Sequence, residues 1–248
     1  ISMDRQDGAL WSADSWPDPT GWTSIGALTQ TGTESSPPWP WWQEGLNRLL
    51  KTTAGWIYVH SDGVWRTTQA VPQTGWDRIE AVSNDTGGWP HSPWWHLDAL
   101  VDGARAYLCG PEYCAVSTDS GATWTVTSLP APVPTNPYTI PDATFARLGK
   151  LGANVVAITD GGTRVAINDG SGTGWTEHAT SGIETYPTQY AGNRGRVDHA
   201  VSDGTRLWVV EREIVSQVAT TPGDPVTYSR FRVRVSTDGI NYSSPEFA

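Results

Sequence analysis

The 248-residue chain is poor in basic residues and in long apolar segments. It has 16 Lys and Arg against 26 Asp and Glu, which gives a formal net charge of -10. A surface with so little positive charge cannot neutralise a row of phosphates, so we expect neither a nucleic-acid partner nor an anionic membrane surface. No apolar run approaches the roughly 18 residues of a membrane span, so we expect no membrane insertion.

Signatures of catalysis and cofactor binding are also scarce. No segment keeps an apolar period of 3.6 residues, so almost no helix is expected; residues 43–50 are the one place for a single helical turn. There is no phosphate-binding Gly loop and no nucleophile elbow, and the five His residues lack metal-ligand spacing. The sequence therefore predicts no cofactor and no metal, and it argues against an enzyme without excluding one.

Only two cysteines occur, in the segment Cys109-Gly110-Pro111-Glu112-Tyr113-Cys114. The Gly-Pro pair marks a turn between two short strands. Cross-strand neighbours beside such a turn can lie close enough to bridge, so we predict a disulfide between Cys109 and Cys114. A bridge would indicate an oxidising compartment, and two unlinked thiols are the alternative.

Gly, Pro and Trp are abundant, at 26, 18 and 15 residues, and they recur with a period near fifty. A Gly turn before an apolar strand appears at Gly55, Gly103, Gly152 and Gly204, spaced by 48, 49 and 52 residues. An aromatic residue follows in each unit, at positions Trp22, Trp76, Trp124, Trp175 and Tyr242. Repeats of this length with several short strands each are typical of propeller blades.

We therefore predict an all-β fold: one five-bladed β-propeller domain over residues 1–248, built of four-stranded antiparallel blades. The approximate blades are residues 1–36, 37–88, 89–136, 137–184 and 185–248. In the third blade the strands are expected at 97–102, 105–109, 114–118 and 123–129. Residues 1–4 align with residues 57–60, so the first blade is expected to lack its inner strand, which upstream sequence, the C-terminal tail or another chain would supply.

One segment, Ser117-Thr118-Asp119-Ser120-Gly121-Ala122-Thr123-Trp124, matches the pattern Ser-x-Asp-x-Gly-x-x-Trp, and Ser236 to Tyr242 is a shortened variant. The chain resembles the Asp-box, or bacterial neuraminidase repeat, propellers. The resemblance implies structural roles for Asp119, Trp124, Asp169, Trp175 and Asp238. Sialidases of this type carry an Arg-Ile-Pro signature that this chain lacks, and five-bladed lectins of the tachylectin type are similar in size and plan only.

The connections that precede the inner strands are rich in aromatic residues and proline. Rigid Trp faces suit the stacking of sugar rings, and polar residues on the inner strands could hold the hydroxyl groups. The predicted ligand-binding residues are Trp39, Trp41, Trp42, Trp94, Trp95, Tyr138, Tyr190, Asp98, Asp198 and His199. The aromatic residues could instead plug the mouth of the channel.

Three functional hypotheses remain. The first is a carbohydrate-binding, lectin-like module that acts outside the cell or on a virion surface, with a glycan or glycoconjugate as its partner. The second is a structural component of a larger assembly with other chains. The third is an Asp-box glycoside hydrolase, in which two channel carboxylates would act as acid and base.

Overall fold

The computed structural model describes residues 2–3, 9–12, 23–27, 47–60, 63–72, 74–83, 98–110, 113–129, 145–159, 161–183, 195–217 and 226–244. Within these ranges the chain is all-β, as predicted. Strands β1 to β18 form five sheets that follow one another along the chain. A single 3₁₀ turn at Glu80–Val82 is the only helical element in the described ranges, and none of their residues form a helix that could span a bilayer.

Each sheet is formed by consecutive strands. The first sheet contains β1 (Ser2–Met3), β2 (Ala9–Ser12) and β3 (Thr23–Ala27). The second contains β4 (Asn47–Thr52), β5 (Gly55–His60), β6 (Gly63–Thr67) and β7 (Asp77–Arg78). The third contains β8 (Asp98–Asp102), β9 (Arg105–Gly110), β10 (Tyr113–Ser117) and β11 (Thr125–Ser128).

The fourth sheet contains β12 (Phe145–Leu151), β13 (Asn154–Thr159), β14 (Arg164–Asn168) and β15 (Thr176–Ala179). The fifth contains β16 (Gly195–Ser202), β17 (Leu207–Gln217) and β18 (Val226–Ser236). The four strands predicted for the third sheet are confirmed to within two residues. The helical turn predicted over residues 43–50 is wrong for Asn47–Leu50, which lie in β4 and pair with β5.

The chain forms two compact units. One comprises Ile1–Leu108 with Ala115–Val126, and the other comprises Cys109–Cys114 with Thr127–Ala248. The first and second sheets belong to the first unit, the fourth and fifth sheets belong to the second, and the third sheet has residues in both.

Burial differs systematically between the strands of one sheet. The second strands β5, β9 and β13 consist almost wholly of buried residues, whereas β11 and β15 at the sheet edges contain no buried residue. A strand buried on both faces is apolar throughout, which explains the continuous runs Trp56–Val59 and Val155–Ile158 in the sequence. The core of the second sheet is aromatic and contains Trp56, Tyr58, Trp65 and Trp76.

Neighbouring sheets are joined at equivalent turns in both units. In the first unit, the Thr53 amide donates to the carbonyl of Gly103 at 3.2 Å; in the second, the Gly152 amide donates to Gly204 at 2.6 Å. Thr53 is therefore the residue equivalent to Gly152. The sequence analysis aligned Gly55 with Gly103 and Gly152, which is two residues too late. Gly55 already lies in β5, and the turn residue of the second sheet is Thr53.

Candidate ligand-binding end of the first strands

The first strands of the second to fifth sheets all begin where one of the four aromatic-rich connections ends. The bond between Thr53 and Gly103 joins the far ends of β4 and β8, and Arg48 of β4 contacts Asp98 at the beginning of β8. These two strands therefore run side by side in the same direction. In the second unit β12 contacts β16, and Leu151 forms a parallel bridge with Gly204. We name the beginnings of these strands the loop end.

One position of the first strand holds a titratable residue in all four sheets. Counted back from the turn residues Thr53, Gly103, Gly152 and Gly204, this position is Arg48, Asp98, Arg147 and His199. The ladders to the second strands agree, because Arg48 pairs with Val59, Arg147 with Ile158 and His199 with Val210. Each of the two units therefore carries titratable side chains at a repeated position near the loop end.

In the first unit this position forms an ion pair between sheets. Nη2 of Arg48 lies 2.8 Å from Oδ1 of Asp98, and Nη1 donates to the carbonyl of Ala99 at 3.3 Å. The Asp98 side chain is only 6% exposed, whereas 46% of the Arg48 side chain remains exposed. Asp98, which the sequence predicts to bind ligand, is thus fixed by the ion pair with Arg48 and by a hydrogen bond that it accepts from the Ala99 amide. Of the two side chains, Arg48 is the one accessible to solvent.

In the second unit, β12 and β16 carry the same irregularity. The register of each strand shifts by one residue, between Phe145 and Arg147 and between Val197 and His199. His199 is exposed and Arg147 is half-buried. Asp198 lies at the shift in β16, between the paired residues Val197 and His199, and the structure does not describe its side chain.

Of the predicted ligand-binding residues, Asp98, Asp198 and His199 lie on first strands near the loop end. The aromatic residues Trp39, Trp41, Trp42, Trp94, Trp95, Tyr138 and Tyr190 lie outside the described residues. Arg48 was missed as a site residue. Arg48 lies at the same distance along the chain from its turn residue as Asp98, Arg147 and His199 do from theirs, and this regularity could have identified it. Counting from Gly55 instead of Thr53 concealed the regularity.

The two turns that resemble Asp-boxes form matching hydrogen bonds. In the turn over residues 117–124, named the Ser117 turn, the Ser117 hydroxyl donates to Asp119 and accepts from the Gly121 amide, both at 2.8 Å. Asp119 also accepts from the amide and hydroxyl of Thr123. The indole of Trp124 donates to the carbonyl of Gly121 at 3.1 Å, so each side chain of the motif closes the turn.

The turn over residues 236–242, named the Ser236 turn, repeats this arrangement. The Ser236 hydroxyl donates to Asp238 and accepts from the Gly239 amide, and Asp238 accepts from the amides of Ile240 and Asn241. Partial burial raises the pKa of the Asp238 carboxyl, but these hydrogen bonds outweigh it and lower the pKa to about 2.

The turn of the fourth sheet closes differently. Asn168 replaces the serine. Its side-chain nitrogen donates to the carbonyls of Gly172 and Gly174, and its side-chain oxygen accepts from the backbone amide of Gly170. Asp169 is exposed and accepts hydrogen bonds from the amide and the hydroxyl of Ser171, whereas Trp175 is 7% exposed.

Both Ser turns also contact the preceding sheet. A Cβ on Gly121 would lie 2.5 Å from Cδ1 of Ile57, and a Cβ on Gly239 would lie 2.7 Å from Cγ2 of Val156. Ile57 and Val156 are equivalent residues of second strands. Nε of Arg66 donates to the Ser120 carbonyl, and the Ser181 amide donates to the Ile240 carbonyl. These turns therefore join neighbouring sheets as well as closing hairpins.

The predicted disulfide is wrong. Cys109 and Cys114 flank a short connection between β9 and β10, as expected, but both are buried free thiols. A bridge requires a specific dihedral geometry, which adjacency on two strands does not supply. Burial raises the pKa of the Cys114 thiol well above its ordinary value, so it stays protonated and packs as an apolar group. The argument for an oxidising compartment loses its support.

The buried charges of the second unit form ion pairs. Nε of Arg164 lies 2.6 Å from Oε1 of Glu177, and its Nη2 donates to the carbonyl of Leu129. The bond from Arg164 lowers the pKa of Glu177. Arg234 likewise pairs with the buried Glu211 at 3.1 Å. The described residues contain no group of His, Cys, Asp or Glu side chains that could hold a metal ion.

No protein-family model and no curated protein matches this chain. Among solved structures, the chain is similar to the N-terminal domain of Nup159, with a TM-score of 0.45 and 7% sequence identity. The alignment covers 86% of this chain and 52% of that structure, so this chain spans about half the length of the Nup159 domain. A likeness at this level assigns neither a family nor a function.

Proposed function

We propose that the chain is a five-bladed β-propeller that binds carbohydrate at the loop end of its first strands, as an extracellular or virion-surface module. The blade count is supported by five consecutive sheets and by equivalent turn contacts between the second and third sheets and between the fourth and fifth. In each unit, the connections rich in aromatic residues precede first strands that begin at the loop end.

One observation carries the proposal: neighbouring first strands run in the same direction and in register. The connection with Trp39, Trp41 and Trp42 leads into β4, and the one with Trp94 and Trp95 leads into β8. Because Arg48 contacts Asp98, the strands that follow these two connections begin at neighbouring points. We infer that aromatic residues from both connections and the exposed Arg48 guanidinium bind one ligand.

The chemistry of this combination suits sugars. Trp faces stack on the C–H groups of a pyranose ring, and Arg48 supplies hydrogen-bond donors for hydroxyls. Hydrolysis is less well supported. Of the two carboxylates of β8, Asp98 lies at the loop end and is engaged by Arg48 rather than held as a general acid.

The test is a glycan array followed by titration of Trp42→Ala and Trp94→Ala with the best glycan. We expect each substitution to weaken binding by about 1–3 kcal/mol, the scale of one lost aromatic contact. Arg78→Ala is the control, because Arg78 lies on β7 at the opposite edge of the second sheet from β4. If no glycan binds, the proposal is wrong; turnover that Asp98→Asn abolishes would favour the hydrolase.

A structural role in a larger assembly is the second candidate, favoured by the exposed apolar residues of the fifth sheet. Val201 and Phe231 are 61% and 62% exposed. Trp208 is half-buried, although the equivalent Val156 of the fourth sheet is fully buried. Apolar surface of this kind marks contact sites. Light scattering should show concentration-dependent association that Phe231→Ser removes and the control Val71→Ser leaves intact.

A further inference from the structure

The guanidinium of Arg48 is held in one direction by the beginning of β8. Both strands that it joins, β4 and β8, lie in the first compact unit. Nη2 of Arg48 lies 2.8 Å from Oδ1 of Asp98, and Nη1 donates to the carbonyl of Ala99 at 3.3 Å. Because both terminal nitrogens are engaged, the plane and the direction of the guanidinium are fixed before any ligand arrives.

The remaining donors of Arg48 are accessible. A guanidinium group has five N–H donors and no acceptor. Two of them point to Asp98 and to the Ala99 carbonyl, and the other three have no partner among the residues that the structure describes. Since 46% of the Arg48 side chain is exposed, a ligand at the loop end of the first unit can reach these donors. They are suited to the hydroxyl and ring oxygens of a sugar.

Asp98 occupies the position on Arg48 that a carboxylate of a ligand would otherwise take. Arg and carboxylate groups form strong charge-assisted hydrogen bonds, so an acidic ligand would compete for this position. The Asp98 side chain is only 6% exposed, and its Oδ1 also accepts from the Ala99 amide at 2.9 Å. Displacing it from Arg48 would leave a buried carboxylate without its cation, which is strongly unfavourable. The internal carboxylate therefore stays in place.

The charge of the pair also disfavours an acidic ligand. Arg48 and Asp98 together are neutral, and the whole chain has a formal net charge of -10. An anion at roughly 4 Å from the guanidinium would lie about 7 Å from the Asp98 carboxylate, so repulsion would cancel more than half of the attraction. A neutral sugar accepts hydrogen bonds from the same donors without this repulsion.

We propose that the loop end of the first unit selects neutral sugars over acidic ones, because Asp98 fills the carboxylate position on Arg48. This inference rests on the proposed carbohydrate binding. It makes Asp98 a specificity-determining residue that acts through Arg48 and does not itself contact the sugar. Specificity of this kind arises from an unfavourable interaction with the wrong ligand as much as from contacts with the right one.

The test compares the intact chain with Asp98→Asn, which keeps the size of the side chain and removes its charge. Asp102→Asn is the matched control, because the exposed Asp102 lies at the other end of β8 and its substitution changes the net charge equally. Each chain is titrated with the neutral glycan that binds best on the array and with the derivative of that glycan oxidised at C6 to the uronic acid. The measured quantity is the ratio of the two affinities.

We expect the intact chain to bind the neutral glycan about tenfold more tightly than the uronic acid, or better. Asp98→Asn should lower this ratio by about tenfold, because the guanidinium is then available to the uronate and the repulsion is gone. Asp102→Asn should change it by less than about twofold, since screening weakens charges at that separation. Equal shifts in the two variants would overturn the inference, because selectivity would then follow from net charge alone.

A second measurement needs no variant and decides the case if circular dichroism shows that Asp98→Asn does not fold. Raising the ionic strength from about 0.05 M to about 0.5 M should leave the affinity of the intact chain for the neutral glycan unchanged, because no net charge is paired on binding. An intact chain that prefers the uronic acid, with an affinity that falls as salt is added, would overturn the selectivity and leave carbohydrate binding intact. Failure to bind any glycan would overturn both proposals.

Discussion

The Ser117 turn and the Ser236 turn lie in different compact units, yet they share their hydrogen bonds and their contact with the preceding sheet. They differ in length by one residue and in the last aromatic residue, Trp124 against Tyr242. The Tyr242 hydroxyl donates to the Gly239 carbonyl at 3.1 Å, as the Trp124 indole does to Gly121. The comparison shows which parts are interchangeable: the aromatic donor and the loop length vary, whereas Ser, Asp and Gly are kept.

The Asn168 turn of the fourth sheet sharpens this conclusion. It closes its hairpin through a side-chain amide and lacks the serine hydroxyl. A hairpin can therefore be closed without the Ser-x-Asp motif. The two Ser turns have a second feature in common. In each, a glycine packs against an apolar residue of the neighbouring sheet: Gly121 against Ile57, and Gly239 against Val156.

The largest effect is expected from a side chain at that glycine. Gly121→Ala and Gly239→Ala each force a Cβ against Ile57 or Val156, at residues with φ of 83° and 79°. Overpacking and a left-handed backbone together should cost about 2–4 kcal/mol in the free energy of unfolding, measured in urea. Gly172→Ala is the control, since a Cβ there meets nothing within 4 Å. A Gly121→Ala variant as stable as that control would refute the sheet contact.

The hydrogen bonds within these turns were predictable from the sequence because they are local. Ser, Asp and Gly at fixed spacing allow few closures other than those seen in the Ser117 turn. The strands of the third sheet were predictable for the same reason, since apolar runs and turn residues alternate along the chain.

Contacts between distant residues could not be read in this way. The Arg48–Asp98 ion pair joins two sheets, and predicting it requires the correct alignment of the repeats. The alignment that uses Gly55 instead of Thr53 as the turn residue is wrong by two residues. The free thiols of Cys109 and Cys114 depend on side-chain geometry within the core. Neither property leaves a pattern in a single sequence.

A middle-sized effect is expected from removing the serine hydroxyls. Ser117→Ala and Ser236→Ala leave the buried Gly121 and Gly239 amides without their acceptor. Each variant should lose about 2 kcal/mol of stability, and the two losses should agree because the turns are equivalent. Ser128→Ala, at an exposed position of β11, should change little. Losses that differ by more than about 1 kcal/mol would show that the turns are alike in geometry but not in energy.

The smallest effect is expected from the aspartates and depends on pH. The folded-state pKa of Asp238 is lowered from 3.8 to about 2, so its contribution to stability is complete above the ordinary pKa and is lost as the pH falls toward 2. Because the carboxylate is exposed to solvent, we expect about 1 kcal/mol at neutral pH.

Asp238→Asn should therefore be less stable than the original chain at pH 7, and the difference should shrink through the window from pH 4 to 2. Asp119→Asn should show the same direction, since hydrogen bonds from Thr123 and Ser117 outweigh partial burial and lower its pKa as well. Urea unfolding at a series of pH values measures both. A difference that stays constant down to pH 2 would mean that the amide disrupts the turn sterically and that the carboxylate charge contributes nothing.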